Sequence, residues 1–154
     1  MTFPVTNANV ITFIVSDPRS VGFAAIRTAN PGADSPLVAA ANSTTGPGAG
    51  TVAGDPITAS DLLDLLDATE FASLTTAQLS QLQTIMSAGT VNMGSSATQA
   101  KLTTILADYA TSKAAVTTKF TRAASPWEVY FGKGNQCSGS ILDDARNSGS
   151  GSNF

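Results

Sequence analysis

The densest grouping of reactive side chains in the chain is acidic. Asp61, Asp64 and Asp67 recur every three residues, with Asp55 before them and Glu70 after. On a single helix this spacing puts three carboxylates roughly on one face, where their oxygens could meet a hard cation. The stretch lacks the glycine and the alternate-position ligands of a calcium loop, so it reads first as the solvated face of an amphipathic helix. A third use is an acidic contact for a basic neighbour. Residues 1–100 carry two basic and seven acidic side chains, and residues 101–154 carry six basic and four acidic. Head-to-tail packing of like subunits, acidic front against basic back, would use that split.

The basic half places Lys113, Lys119, Arg122 and Lys133 near Trp127, Tyr130 and Phe131. Charge interleaved with aromatics is the pattern of a single-stranded nucleic-acid surface. Here the basic excess is too small for the electrostatic term that dominates such binding, so no sequence-specific nucleic acid is expected. Lys113 and Lys119 stand six apart and do not share a helix face, and the aromatic trio reads as local core. Cys137, in KGNQCSGS, has no histidine anywhere in the chain to activate it and reads as a buried thiol. Gly46, Gly48 and Gly50 give GPGAG, which no GK[ST] follows, so it is loop chemistry and not a phosphate cradle. A hydrolase without histidine would need a Ser-Lys arrangement, and no SxxK occurs. The chain is therefore read as a non-enzyme with no cofactor and no metal.

Composition agrees with that reading. In 154 residues, 42% are hydrophobic and only 12% charged, about half the usual charged share. The net charge of −3 gives little long-range steering. A single cysteine excludes a disulfide framework or a thiolate zinc cage within the chain. No apolar run reaches the roughly 18 residues that a membrane span needs, so no membrane partner is expected. MTFPVTNANV lacks the basic start of a signal peptide. The bland Ser, Thr, Ala, Gly and Asn surface suits a protein largely covered by neighbours, or simply a thrifty soluble one.

The elements that must position these residues are short. Val10, Phe13 and Ile14 follow helical spacing behind a Thr6 or Asn7 cap, although VITFIV could equally be a buried strand; the helix is favoured, and Asp17-Pro18 ends it. Short helical segments follow at 21–29 and from Ser35-Pro36. Residues 43–57 hold four glycines and two prolines, a density that reads as a long exposed loop or arm. Thr58-x-x-Asp61 opens a helix through Leu62, Leu65 and Leu66. Thr75 or Thr76 caps another with Leu79, Leu82, Ile85 and Met86 inward, ended near Gly89. Ser95 or Ser96 caps a third through Tyr109, and a fourth runs from about Ser112 to Thr121. Ser125-Pro126-Trp127-Glu128 is the clearest helix start in the chain, with a last short helix over 141–146. The expectation is an all-α fold of about five to seven short helices. It is taken as one domain over 1–146, with the loop or arm at 43–57 and a flexible tail at 147–154.

Three stretches resemble a diverse group of small tailed-bacteriophage virion structural proteins: VSDPRSVGFA, LDATEFASLTTAQLSQLQTIMSAGTVNM, and RAASPWEVYFGKG with SGSILDDAR. They cover much of the chain in the expected order, and none is a catalytic or ligand motif. The front element in that group reads more like DPLGRGY, from which Arg19-Ser20-Val21-Gly22-Phe23 departs, and the Gly/Pro-rich insertion at 43–57 is unusual for it.

The resemblance implies a structural role in the virion, assembled in the host bacterial cytoplasm. Small all-α phage proteins of this length are similar in kind to head–tail connectors, neck adaptors that form a ring beneath the portal. The implied partners are copies of itself in a ring, the phage portal, and tail or neck proteins. Such rings dock through arms and tails, here 43–57 and 147–154, with Val52, Ile57 and Phe154 supplying apolar surface. Phe154 would act as an anchor in a neighbour's pocket. Asp61, Asp64 and Asp67 would face Lys113, Lys119 and Arg122 of the next copy. The alternatives are a capsid decoration or other accessory virion protein, and a small intracellular binding module with no place in the particle.

Overall fold

Thr6 starts the first helix as the sequence suggests, its hydroxyl accepting the Asn9 amide at 3.3 Å. In this computed structural model, which describes residues 1–148 and 154, helix α1 spans Asn7–Ser16 and buries Val10, Phe13 and Ile14. The apolar run at 10–15 is thus helical, not a strand. Asp17 takes a left-handed conformation (φ 44°) that ends α1. Its carboxylate then accepts the amides of Val21 and Gly22, both at 2.7 Å, and of Phe23 at 3.3 Å, so one side chain both follows α1 and caps helix α2 (Phe23–Ala29). Gly22 (φ 91°) supplies the backbone conformation that a side chain resists.

The chain divides into two compact units. The first comprises Met1–Val52 with Ala123–Phe154, and the second Ala53–Arg122. The first unit contains α1, α2, α3 (Asp34–Asn42), α9 (Pro126–Phe131) and α10 (Gly139–Asn147). Its core is aromatic, with Phe13 meeting Phe23, Trp127 and Phe131 edge-on at centroid distances of 5.2, 5.3 and 5.5 Å. Ser125 caps α9 through the Glu128 amide at 3.2 Å, with Pro126 at its first position, as the sequence predicted.

The second unit contains strand β2 (Pro56–Thr58), α4 (Ala59–Asp64), α5 (Ala68–Ala72), α6 (Thr76–Met86), strand β3 (Thr90–Asn92), α7 (Ser96–Ile105) and α8 (Ala110–Thr117). Leu62, Leu82, Val91, Met93, Leu102, Leu106 and Val116 are its best-buried side chains. Of the expected stripe on α6, Leu82 is fully buried, while Leu79, Ile85 and Met86 pack at the edge of this core.

The all-α expectation is corrected. Among the described residues there are ten helices, covering 54% of the chain, and two small antiparallel sheets. Strand β1 (Gly50–Ala53) pairs with β4 (Thr121–Ala124), and β2 pairs with β3 in the register Pro56↔Asn92, Ile57↔Val91, Thr58↔Thr90. The 43–57 segment is therefore not a free arm. In a two-stranded sheet every strand is an edge, which is where glycine and proline are tolerated, and Pro56 sits at the first position of its strand. Gly54 is required for a different reason: a Cβ there would overlap the carbonyl oxygen of Lys119. The fourth expected helix also ends early, at Thr117, and Thr121 opens β4. Asn147, the first residue of the expected tail, is instead the last residue of α10. The rest of that expectation, over 149–153, lies outside the described residues.

Candidate functional site

The three aspartates do not share one helix face. Leu65 closes α4 immediately after Asp64, and Asp67 starts α5 as its N-cap. Asp61 belongs to a capping box: its carboxylate accepts the Thr58 amide at 3.1 Å while the Thr58 hydroxyl accepts the Asp61 amide at 3.0 Å. The Thr58 hydrogen bonds hold the Asp61 carboxyl below the usual carboxylate range, helped by the positive charge of Lys119. Asp67 accepts the amides of Thr69 and Glu70, both at 3.0 Å. Two of the three carboxylates are thus engaged in starting helices. Asp64, exposed at the end of α4, caps no helix among the described residues.

The basic residues fare similarly. Arg122 Nε meets the Asp55 carboxylate at 2.9 Å, and Lys119 lies close enough to Asp61 to act on its proton affinity. Lys113, on α8, lines a shallow cleft with Ala110, Ala114 and Thr117. Among the described residues Asp64 and Lys113 make no ion pair.

Glu70 is a residue whose use the sequence reading missed. Helix α8 has no capping side chain of its own, since Tyr109 precedes it. Glu70 reaches across from α5 and accepts the Thr111 amide at 3.0 Å and the Ser112 amide at 2.8 Å. The buried Ser112 hydroxyl accepts the Asp67 amide at 3.0 Å in return. Hydrogen bonds from Ser112, then from Thr111, pull the Glu70 carboxyl down to about 2. The pattern Asp67-Ala68-Thr69-Glu70 is a capping sequence, and it was the signal available.

The apolar candidates separate. Ile57 pairs with Val91 and packs against the core of the second unit. Val52 is half-buried in β1. Phe154 packs against the core of the first unit, its ring 5.2 Å beneath the Arg146 guanidinium and its main-chain oxygen accepting Arg146 Nε at 3.0 Å. Arg146 also binds both oxygens of Asp34 and, at 3.1 Å, Asp143. Trp127 and Phe131 are core residues, and Tyr130 stacks on Phe3 at 4.6 Å.

No family model, curated protein or solved structure matches this chain. The geometry must therefore speak for itself. Cys137 is buried, and that burial, with the charge of Asp34 second, pushes its thiol up to about 12, far from a nucleophile. Among the described residues no three His, Cys, Asp or Glu side chains are placed to share a metal ion. No helix among them is long and apolar enough to cross a membrane. What the arrangement offers is recognition by shape, in two places. One is the cleft beside Phe154, and the other is a groove of about 440 Å³ between α6 and α7, around Ile85 and Ile105.

Proposed function

We propose that this chain is a structural protein of a tailed-bacteriophage particle, serving as a neck adaptor. It would form a ring with copies of itself, between the portal and the tail or neck proteins. Its place is the virion, reached by assembly in the host bacterial cytoplasm. The observation that carries the reading is the resemblance of three stretches, in the expected order, to small virion proteins.

The work those stretches do in the fold supports it. The first supplies Asp17, which caps α2; the second supplies Asp67 and Glu70, which cap α5 and α8; the third supplies the Ser125 cap and the Trp127–Phe131 ring cluster. Residues that fix shape suit a part that acts mechanically, by presenting a rigid surface to neighbours. Front-to-back charge alignment falls to Asp64 and Lys113, because Asp61, Asp67, Lys119 and Arg122 already serve their own unit.

Copy number tests the reading, by quantitative mass spectrometry of purified particles whose genome encodes the chain. About a dozen copies per particle, the order expected of a closed ring, is the predicted result. Hundreds of copies would make it a capsid or tail-tube component, and none would make it an intracellular binding module.

A further inference from the structure

The first unit carries a cleft of about 520 Å³, within the range of about 300–1,000 Å³ common to small-molecule sites. Its walls include Arg27 of α2, Leu37 of α3, Arg146 of α10, Pro31 and Phe154. We infer that this cleft binds a monocarboxylate with a small apolar body, either a free acid or the carboxyl end of a peptide. The inference does not rest on a place in a virion.

The two charged residues on the wall are both arginines, and they differ in how they are matched. Arg146 binds both carboxylate oxygens of Asp34 and, at 3.1 Å, Asp143. Arg27 has neither a hydrogen bond nor an ion pair among the described residues, and its Nε is buried. Arg27 thus holds a permanent positive charge, partly withdrawn from water, with no anion to answer it. A cation in that position is costly by itself and attracts an anion more strongly than an exposed one does. A guanidinium presents paired donors that take a carboxylate bidentately. Arg146 already faces two aspartates and has no charge to spare for a phosphate dianion, so one guanidinium against one carboxylate is the balance the cleft can strike.

The remaining walls suit an apolar body. Leu37, only 2% exposed, Pro31 and the half-buried ring of Phe154 supply carbon surface. The Phe154 wall is held in place by Arg146, whose guanidinium lies 5.2 Å from the ring centroid and whose Nε binds the main-chain oxygen at 3.0 Å. A few polar groups set among apolar walls is the usual composition of a site that orients a small ligand by one charged end.

Titrating the ¹⁵N-labelled full chain with 3-phenylpropionate, followed by amide NMR shifts, tests this. Saturable shifts centred on residues 24–37 and on Arg146 are expected. 3-Phenylpropionamide, the same shape without the charge, should bind roughly tenfold more weakly, and so should inorganic phosphate. Arg27→Gln should weaken the acid by roughly the same factor and leave the amide unchanged. Ala24 is exposed one turn before Arg27, so Ala24→Glu brings a tethered carboxylate to the cleft without entering the core, and it should compete with the acid. Acetylglycylphenylalanine in parallel tells a peptide end from a free acid, the tighter binder being the form recognised. The inference is overturned if neither carboxylate gives saturable shifts, or if the shifts centre elsewhere. It is equally overturned if the amide or phosphate matches the acid, or if either variant, with its fold intact, leaves the acid's affinity unchanged.

Discussion

Asn42 and Cys137, 95 residues apart, hold each other by two reciprocal hydrogen bonds. Asn42 Nδ2 donates to the Cys137 carbonyl at 2.8 Å, and the Cys137 amide donates to Asn42 Oδ1 at 2.9 Å. The side-chain amide thus takes the place of a backbone partner for a segment that belongs to no sheet. Both residues belong to the first unit, so the pair ties its N-terminal segment to its C-terminal one.

Replacing Asn42 by Ala leaves the Cys137 amide and carbonyl, both beside a buried side chain, without partners. Orphaned groups of this kind cost about 1–3 kcal/mol each. Trp127 is the sole tryptophan and lies in the core of the first unit. Urea unfolding followed by its fluorescence should show a lower midpoint for Asn42→Ala. An unchanged midpoint would mean that the pair contributes nothing.

Glu70 sets an acid dependence for the second unit. Its carboxyl titrates near 2 in the folded chain against an ordinary 4.5, so the unfolded state takes up the proton first as pH falls. The stabilisation is complete above about pH 4.5 and is lost progressively toward pH 2. Glu70→Gln, which cannot ionise, should flatten that part of the profile, followed as the urea midpoint by far-ultraviolet circular dichroism. A profile of unchanged steepness would remove Glu70 from the account.

Cys137 should be chemically silent in the native protein. A thiol raised from 9.0 to about 12 has roughly a thousandfold less thiolate at neutral pH, and burial blocks the reagent as well. Labelling with a disulfide reagent should be slow in buffer and prompt in urea. Prompt labelling in buffer would show that this part of the first unit opens readily.

Gly54 and Gly89 should respond differently to the same substitution. Gly54→Ala drives a methyl group into the Lys119 carbonyl, whereas Gly89, at φ 76°, has open space around its Cβ direction. Overpacking costs typically about 1–3 kcal/mol and more where, as here, the overlap is with backbone, while an alanine in the left-handed region costs about 1–2 kcal/mol. Thermal unfolding monitored at Tyr109 by NMR should rank Gly54→Ala as the more damaging change.

The helices were legible because their starts are written locally. Thr58-x-x-Asp61, Thr75 and Ser125-Pro126 each place a cap within four residues of the amide it serves. The strands were not legible, because each is only three or four residues long and its partner lies far along the chain, as Ile57 does from Val91. Such runs are too short to display a period of two. The carboxylates were visible as a cluster, but their use depends on the break at Leu65, and on Ser112 meeting Asp67 and Glu70 from a distant helix. The seating of Phe154 beneath Arg146 left no trace in local spacing, although both residues lie near one end of the chain.

The second unit is one uninterrupted stretch, Ala53–Arg122, while the first is made from the segments on either side of it. During synthesis the second unit has all its residues as soon as Arg122 leaves the ribosome. The first must wait, with Phe13 and Phe23 lacking Trp127 and Phe131, until the later segment arrives. For the time needed to translate roughly seventy residues at 5–20 per second, an apolar half-core stands unfinished. The nascent chain is therefore most prone to aggregation in the 1–52 segment, and a chaperone that binds it should release it only after α10, which brings Leu142 and Ala145 to the same core, is complete.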